Sequence, residues 1–224
     1  MNTMKTRQEM KEHARMILRA NQGQIIGAYL IALVISMIVS GFTAGFGSFL
    51  VMPVLMVTMK GFFHAMYTGK AMRLEDAGRN LFDNRFLTKT GGYLWMSLLI
   101  GLWSCLFVIP GIVMGIAYSM TPYILHDCPN VKAMDAVRIS RKMTRGYKMD
   151  LFVASLSFLG WELLSLFTFG ILEVIFVGPY RELTFGGIYE ELKMEALRNG
   201  TVTENELYGD DVIAVNGYID SNKL

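Results

Sequence analysis

The chain alternates between long apolar blocks and short charged segments, and that alternation predicts its elements. Residues 25–67 are almost wholly apolar, as are 92–126 and 151–179. One helix through the first block would be about 60 Å long, roughly twice the hydrocarbon thickness of a bilayer. Each block must therefore turn back on itself. Small residues mark the first turn at 41–47, Ile109-Pro110-Gly111 the second and Thr168-Phe169-Gly170 the third. Proline cannot donate a backbone hydrogen bond, and glycine accepts unusual backbone angles. Three apolar hairpins result, an all-α polytopic transmembrane bundle. Spans are expected near 25–43, 47–67, 93–109 and 112–125, and on either side of 168–170. Pro53 is expected to kink the second. The halves of the second hairpin are at or below the usual lower limit for a spanning helix. Re-entrant hairpins are therefore the alternative to six full crossings.

The polar segments carry a helical period of their own. In 4–20, Met10, Ala14, Ile17 and Leu18 line one side, while Lys5, Arg7, Lys11, Arg15 and Arg19 supply the other. Such a helix suits a bilayer surface. Residues 70–89 read as a short surface helix with Leu74, Ala77, Leu81 and Arg85 on one side. Residues 127–150 form the most basic loop, with a helix start at Pro129-Asn130. At about 100° per residue, Arg138, Arg141, Lys142, Arg145 and Lys148 share one arc, opposite Ala136, Ile139 and Met143. A charged helix at 181–198 follows Pro179-Tyr180. The organisation expected is an amphipathic cytoplasmic helix (1–23), a transmembrane domain (24–198) with cytoplasmic loops 69–90 and 127–150, and a polar, disordered tail (199–224).

Charge placement sets the threading. Five Lys or Arg precede the first block, five lie in 70–89 and six in 127–150, whereas the three turns carry none. The positive-inside rule then puts both termini and both long loops in the cytoplasm. Only 18% of residues are charged and 53% are hydrophobic, against about 25% charged in soluble domains. A net charge of +2 leaves no global basic field for nucleic acid. The first apolar run follows a charged segment and no Ala-x-Ala site follows it, so it reads as a retained span. Cys105 and Cys128 form no CxxC pair and are expected as reduced thiols. The methionines read as flexible apolar filler.

The second and third hairpins share a weak repeat: Trp103, Gly111-Ile112 and Pro122-Tyr123 beside Trp161, Gly170-Ile171 and Pro179-Tyr180. A longer series of short motifs carries a family resemblance. It comprises Ile109-Pro110-Gly111, Tyr118-Ser119-Met120-Thr121, Ser140-Arg141-Lys142-Met143 with Gly146 and Lys148, and Leu156-Ser157-Phe158 with Gly160-Trp161. Leu163-Leu164, Pro179-Tyr180 and Tyr189-Glu190 continue it. In these the chain resembles the DUF975 family, bacterial integral membrane proteins of unknown function. The resemblance runs from Ala14 and Leu18 to Tyr189-Glu190-Glu191-Leu192. It implies a multi-pass protein of the bacterial cytoplasmic membrane and supplies no catalytic residues. Glu162 and Thr144 depart from the family pattern.

Two residues stand out as candidate chemistry. Glu162 lies about 16 Å into its span by helix rise, and Lys60 lies at a comparable depth. Intramembrane charges are costly and mark functional sites by default. A Lys60–Glu162 pair would satisfy both; equally, Lys60 can snorkel to the headgroups with Glu162 protonated or wetted near a break. Glu173 is expected at the headgroups beyond the outer turn. The face Arg138/Arg141/Lys142/Arg145/Lys148 suits anionic lipid headgroups or serves only as a topology signal. Gly160 is expected to permit close helix packing. His64 and His126 lie near span ends, and His126-Asp127-Cys128 lacks the further ligands that a metal would need. No P-loop, GxSxG, HExxH or dinucleotide-binding fingerprint occurs. The reading is a non-enzymatic membrane protein in an accessory or structural role, with no cofactor. Its partners would be the bilayer and either a second copy or another membrane protein. The alternative is a small transporter or channel subunit.

Overall fold

The computed structural model describes residues 6–42, 48–70, 85–106, 108–168 and 170–208. Among these, every regular element is helical. The turn at 43–47, most of the surface helix expected over 70–89 and the tail beyond 208 lie outside the described residues.

α1 (Arg7–Ala20) begins where the sequence sets a capping box. The Thr6 hydroxyl accepts from the Glu9 amide, and the Glu9 carboxylate accepts from the Thr6 amide. These contacts satisfy donors that a helix start leaves open. Its apolar stripe is not free to meet lipid, as a surface helix would require. Met10, Ala14 and Leu18 are buried in the protein, and Arg15 lies over the Tyr180 ring. α2 (Gln22–Phe42) carries no charge, and its side chains from Leu30 to Ile38 are largely exposed. α3 (Ser48–Tyr67) runs through Pro53 and pairs with α2.

The second hairpin is α4 (Phe86–Leu106) and α5 (Val108–Tyr118). Pro110 does not break the chain as expected. It sits in the first turn of α5, where helix amides have no intrahelical partner and proline costs little. The close approach of the two arms depends on Gly111, where a Cβ would lie 2.2 Å from the Ser104 hydroxyl oxygen. α5 has 11 residues, about 16 Å of helix against a hydrocarbon core of about 30 Å. The chain then bends at Ser119-Met120 into α6 (Thr121–Asp127), with Pro122 in its first turn.

α7 (Ala133–Met143) presents its polar arc outward and buries Ala136, Val137, Ile139, Ser140 and Met143, the face that its period predicts. Ser140 and Thr144 both donate to the Ala117 carbonyl, at 2.9 and 3.1 Å. That carbonyl is among the last of α5 and has no partner within its own helix. Thr144, a departure from the family pattern, thus pins α7 to the second hairpin. Gly146, at φ +96°, makes the turn into α8 (Lys148–Phe167). α8 buries Leu151, Ala154, Phe158 and Ser165 and exposes most of its other apolar side chains. Gly160 has open space where its Cβ would be, so it is not the packing point that its sequence suggested.

After Gly170 (φ +80°) the chain returns through a π-helical stretch, Glu173–Val177, into α9 (Gly178–Arg198). Pro122 and Pro179 each open a helix whose tyrosine is buried, so the repeated Pro-Tyr pairs have matching local roles. α9 is the hub: it packs on α3, α1, α7 and the π-helical stretch. Residues 199–208 are not the start of a disordered tail. They fold into α10 (Glu204–Tyr208), which buries Val202 and Leu207, ties Glu206 to Lys142 at 2.6 Å and offers the Tyr208 carbonyl to Asn130.

Candidate functional site

The ionic groups of the core meet along one seam, between α3 and the first half of α9. A close backbone approach makes the seam. A Cβ on Gly186 would lie 3.1 Å from the His64 Cα, and one on Gly187 would lie 2.2 Å from the Tyr67 ring. Lys60 and His64, one turn apart on α3, therefore face Glu182 and Glu190, two turns apart on α9.

Lys60 donates to both carboxylate oxygens of Glu182, at 2.8 and 3.1 Å, and its ammonium lies 5.1 Å from the Tyr123 ring centre. The Tyr123 hydroxyl donates to the same carboxylate at 3.3 Å. Arg181 turns the other way. It forms an ion pair with Glu162, with Glu173 at 3.5 Å and more distantly with Glu182 at 3.9 Å. Lys60 and Glu162 are therefore not each other's partners. α9 supplies each with an opposite charge, Glu182 to Lys60 and Arg181 to Glu162. Glu173 joins this cluster through Arg181.

These groups enclose a cavity of about 450 Å³. Lys60, Tyr123, Glu162, Arg181 and Glu182 give it a polar wall, joined by Ser119 and Ser155. Phe152, Leu156, Leu159 and Phe185 give it an apolar wall. The structure so brings Lys60 and Glu162, the two charges that the sequence singled out, to one cavity. Arg181 and Glu182 were hard to single out in the sequence, because they read as the start of a charged loop helix. Their one signal is position: Arg-Glu one turn into a helix whose preceding residues are all apolar except Glu173.

A second cluster lies one turn further along the seam. The His64 Nε2 donates to Glu190 at 2.8 Å, since a carboxylate can only accept. Lys193 bridges Glu190 at 3.3 Å and Asp127 at 2.7 Å. The Tyr189 hydroxyl donates to Asp127 at 3.1 Å, and its ring stacks on Tyr123 with centres 5.3 Å apart. Arg85 caps α6, donating to the carbonyls of Leu125 and Cys128. His126 packs against Gly61, where a Cβ would lie 2.0 Å from its ring. Among the described residues no three His, Cys, Asp or Glu converge to hold a metal. Cys105 and Cys128 are free thiols, the first exposed and the second buried. Burial, with the neighbouring Asp127 carboxylate, pushes the Cys128 thiol up to about 12, which leaves it inert.

Burial by itself would raise the Asp127 carboxyl, but the Lys193 ammonium outweighs it and holds it below its ordinary 3.8. The Glu190 carboxyl is also lowered, chiefly by the hydrogen bond from His64, with Lys193 adding to it. A depressed carboxyl stabilises the fold above its unfolded value, and that stabilisation is lost as pH falls through the folded value. Burial, with the Lys89 ammonium, holds the His126 imidazole down at about 4 against 6.5 unfolded, so stability should already decline as pH falls below about 6.5, and the two carboxylates should steepen that loss below about pH 4. Thermal unfolding of Asp127→Asn in detergent should show a lower melting temperature at neutrality and a shallower acid loss. An acid limb as steep as that of the parent would reject this assignment.

The basic arc is only partly available. Arg138 pairs with Asp135 and Lys142 with Glu206, while Arg141 and Arg145 are exposed and Lys148 is half-buried.

Fold and site together define an all-helical protein with, among the described residues, two helices long and apolar enough to cross a membrane, Gln22–Gly41 and Lys148–Phe167, and a charged seam beside one of them. Residues 94–196, a little under half of the chain, match the DUF975 family, described as "Protein of unknown function". That segment, which holds α5 to α8, most of α9 and all the seam residues except those of α3, is what the chain shares in similarity with the family. The N-terminal part of the resemblance lies outside the match. No curated protein and no solved structure matches the chain.

Proposed function

We propose that this is a multi-pass protein of the bacterial cytoplasmic membrane, with both termini cytoplasmic and a non-catalytic accessory or structural role. One observation carries the reading. In the two long apolar helices only 11% and 22% of the candidate spans is buried, whereas a soluble protein rarely leaves apolar surface of that extent to water. The exposed apolar side chains gather next to the charge-free turns: Leu30 to Ile38, Leu98 to Val113 and Leu163 to Ile171. The closed core instead lies among α6, α7, α10 and the second half of α9.

Length and apolarity support full crossings by α2 and α8, whereas the 11 residues of α5 are too short to cross, which favours a re-entrant path for the α4–α5 hairpin. A native probe tests the count. Cys105 is exposed beside the α4–α5 turn, and buried Cys128 is an internal control. On intact spheroplasts, an impermeant maleimide should leave Cys105 unlabelled and should label Thr168→Cys in a Cys105→Ser background. Labelling of Cys105 from outside would establish a full crossing. An unlabelled Thr168→Cys would remove the crossing by α8.

Arg141, Arg145 and Lys148 would meet anionic headgroups, each charge worth about 1 kcal/mol near the surface. The triple glutamine variant should retain less phosphatidylglycerol on purification, and unchanged retention would reject that contact. A second reading, a small transporter or channel subunit, is favoured by the cavity that holds both Lys60 and Glu162 in its wall. Solute flux in proteoliposomes that is lost in Glu182→Gln would carry that reading.

A further inference from the structure

The cavity at the seam has three features that the ion pairs alone do not require. First, its lining charges balance: Lys60 and Arg181 against Glu162 and Glu182. Second, those charges are only part-exposed, with Lys60 at 23%, Arg181 at 34%, Glu162 at 39% and Glu182 at 14%. Third, its apolar wall comes from α8, where Phe152, Leu156 and Leu159 are exposed at 36%, 51% and 47%. α8 is one of the two helices long enough to cross a membrane. On the membrane reading above, the cavity therefore opens sideways toward lipid, with its polar wall behind an apolar lip.

We infer that this cavity binds the headgroup of a zwitterionic phospholipid of the phosphoethanolamine class, entering past the apolar lip of α8 with its acyl chains left along α8. The chemistry follows from the balance of charge. An anionic headgroup would be drawn to Lys60 and Arg181 but held off by Glu162 and Glu182, and a simple cation would meet the reverse. A zwitterion places phosphate against the guanidinium and ammonium, and its own ammonium against the carboxylates, and leaves no net charge in a low-dielectric site. Arg181 offers a planar fork suited to phosphate oxygens. The Ser119 and Ser155 hydroxyls in the lining donate their protons to the Ile116 and Leu151 carbonyls and can accept from a headgroup ammonium. A volume of about 450 Å³ is in the range of ligand cavities. The acyl chains need no pocket, since α8 already presents an exposed apolar face.

Purified protein in detergent tests this by native mass spectrometry and thermal unfolding with short-chain phosphatidylethanolamine, short-chain phosphatidylglycerol and free O-phosphoethanolamine. The phosphatidylethanolamine should bind at least about ten-fold more tightly than the phosphatidylglycerol and should raise the melting temperature. The free headgroup should bind more weakly than the lipid, because it lacks the chains. Free headgroup as tight as the lipid would overturn lateral entry and assign a soluble ligand. Leu156→Trp narrows the mouth without touching any charge, so it should fold as the parent does and lose the preference. Glu162→Gln should lose it by leaving the headgroup ammonium one carboxylate short. Equal binding of the two lipids by the parent, or an undiminished preference in Leu156→Trp, would overturn the inference. Should Glu162→Gln fail to fold, the Leu156→Trp comparison decides. Resistance to alkaline carbonate extraction reads the membrane assignment separately: an extractable protein sinks that assignment, whereas a resistant one without lipid preference sinks only the headgroup site.

Discussion

Lys60→Met will destabilise the protein by about 3–5 kcal/mol, the usual result of stranding one member of a buried ion pair. The stranded group is Glu182, which has 14% of its side chain exposed and keeps only the Tyr123 hydroxyl and a distant Arg181 as partners. Adding Glu182→Gln should recover most of the loss. The amide removes the uncompensated charge while its oxygen still accepts from Tyr123. Adding Glu162→Gln instead should recover nothing, because Glu162 is held by Arg181. The measurement is a pair of double-mutant cycles on the thermal midpoint in detergent. Coupling above about 1 kcal/mol is expected for Lys60 with Glu182, and below about 0.5 kcal/mol for Lys60 with Glu162. The reverse order would restore the pairing suggested by sequence depth and refute the partners described above.

Gly186→Leu should be more damaging than any loss of a single charge on the surface. A Cβ at this position is already 3.1 Å from the backbone of His64, and backbone cannot swing aside as a side chain can. A leucine must push α9 off α3, separating Lys60 from Glu182 and His64 from Glu190 together. Overpacking typically costs about 1–3 kcal/mol. Breaking both ionic pairs adds to that cost and should bring this variant to the point where little folded protein is recovered. Gly187→Ala should also destabilise, since its Cβ would lie 2.2 Å from the buried Tyr67 ring. Gly160→Ala, with open space at its Cβ and a helical backbone, should be neutral or stabilising by up to about 1 kcal/mol. Yield and midpoint by fluorescence-detected size exclusion would rank the three. A tolerated Gly186→Leu would mean that α3 and α9 do not pack as described.

The contrast among these glycines shows where sequence reasoning stopped. Gly160 lies in an apolar run beside a tryptophan, as a packing glycine would, yet it faces open space. Gly186 lies in the charged helix that follows Pro179-Tyr180, with no apolar run around it, yet it makes the closest backbone approach of the seam. Local composition says what a segment can tolerate around it, not which helix arrives there. The same limit explains Glu162. Its depth marked it as costly and in need of a partner, which was sound. Its partner lay 19 positions on, past the third turn, in the charged helix that follows Pro179-Tyr180.

Composition and period by themselves determined the helical class and the inward faces of α1 and α7. Those properties follow from the side chains of one element: Met10, Ala14 and Leu18 share a side of any helix, whatever it packs against. They did not determine that the α1 stripe would be covered by α9 rather than by lipid, or that the chain after Asn199 would fold back onto α7. The tertiary structure alone decided the pairing of charges. Lys60 and Glu182 are 122 positions apart, and an ammonium with several carboxylates to choose from along the chain has no preferred one until helices fix the distances. Two adjacent glycines let α9 lie against α3, and that approach, not the spacing of charges along the chain, selects Glu182 for Lys60 and leaves Arg181 to Glu162.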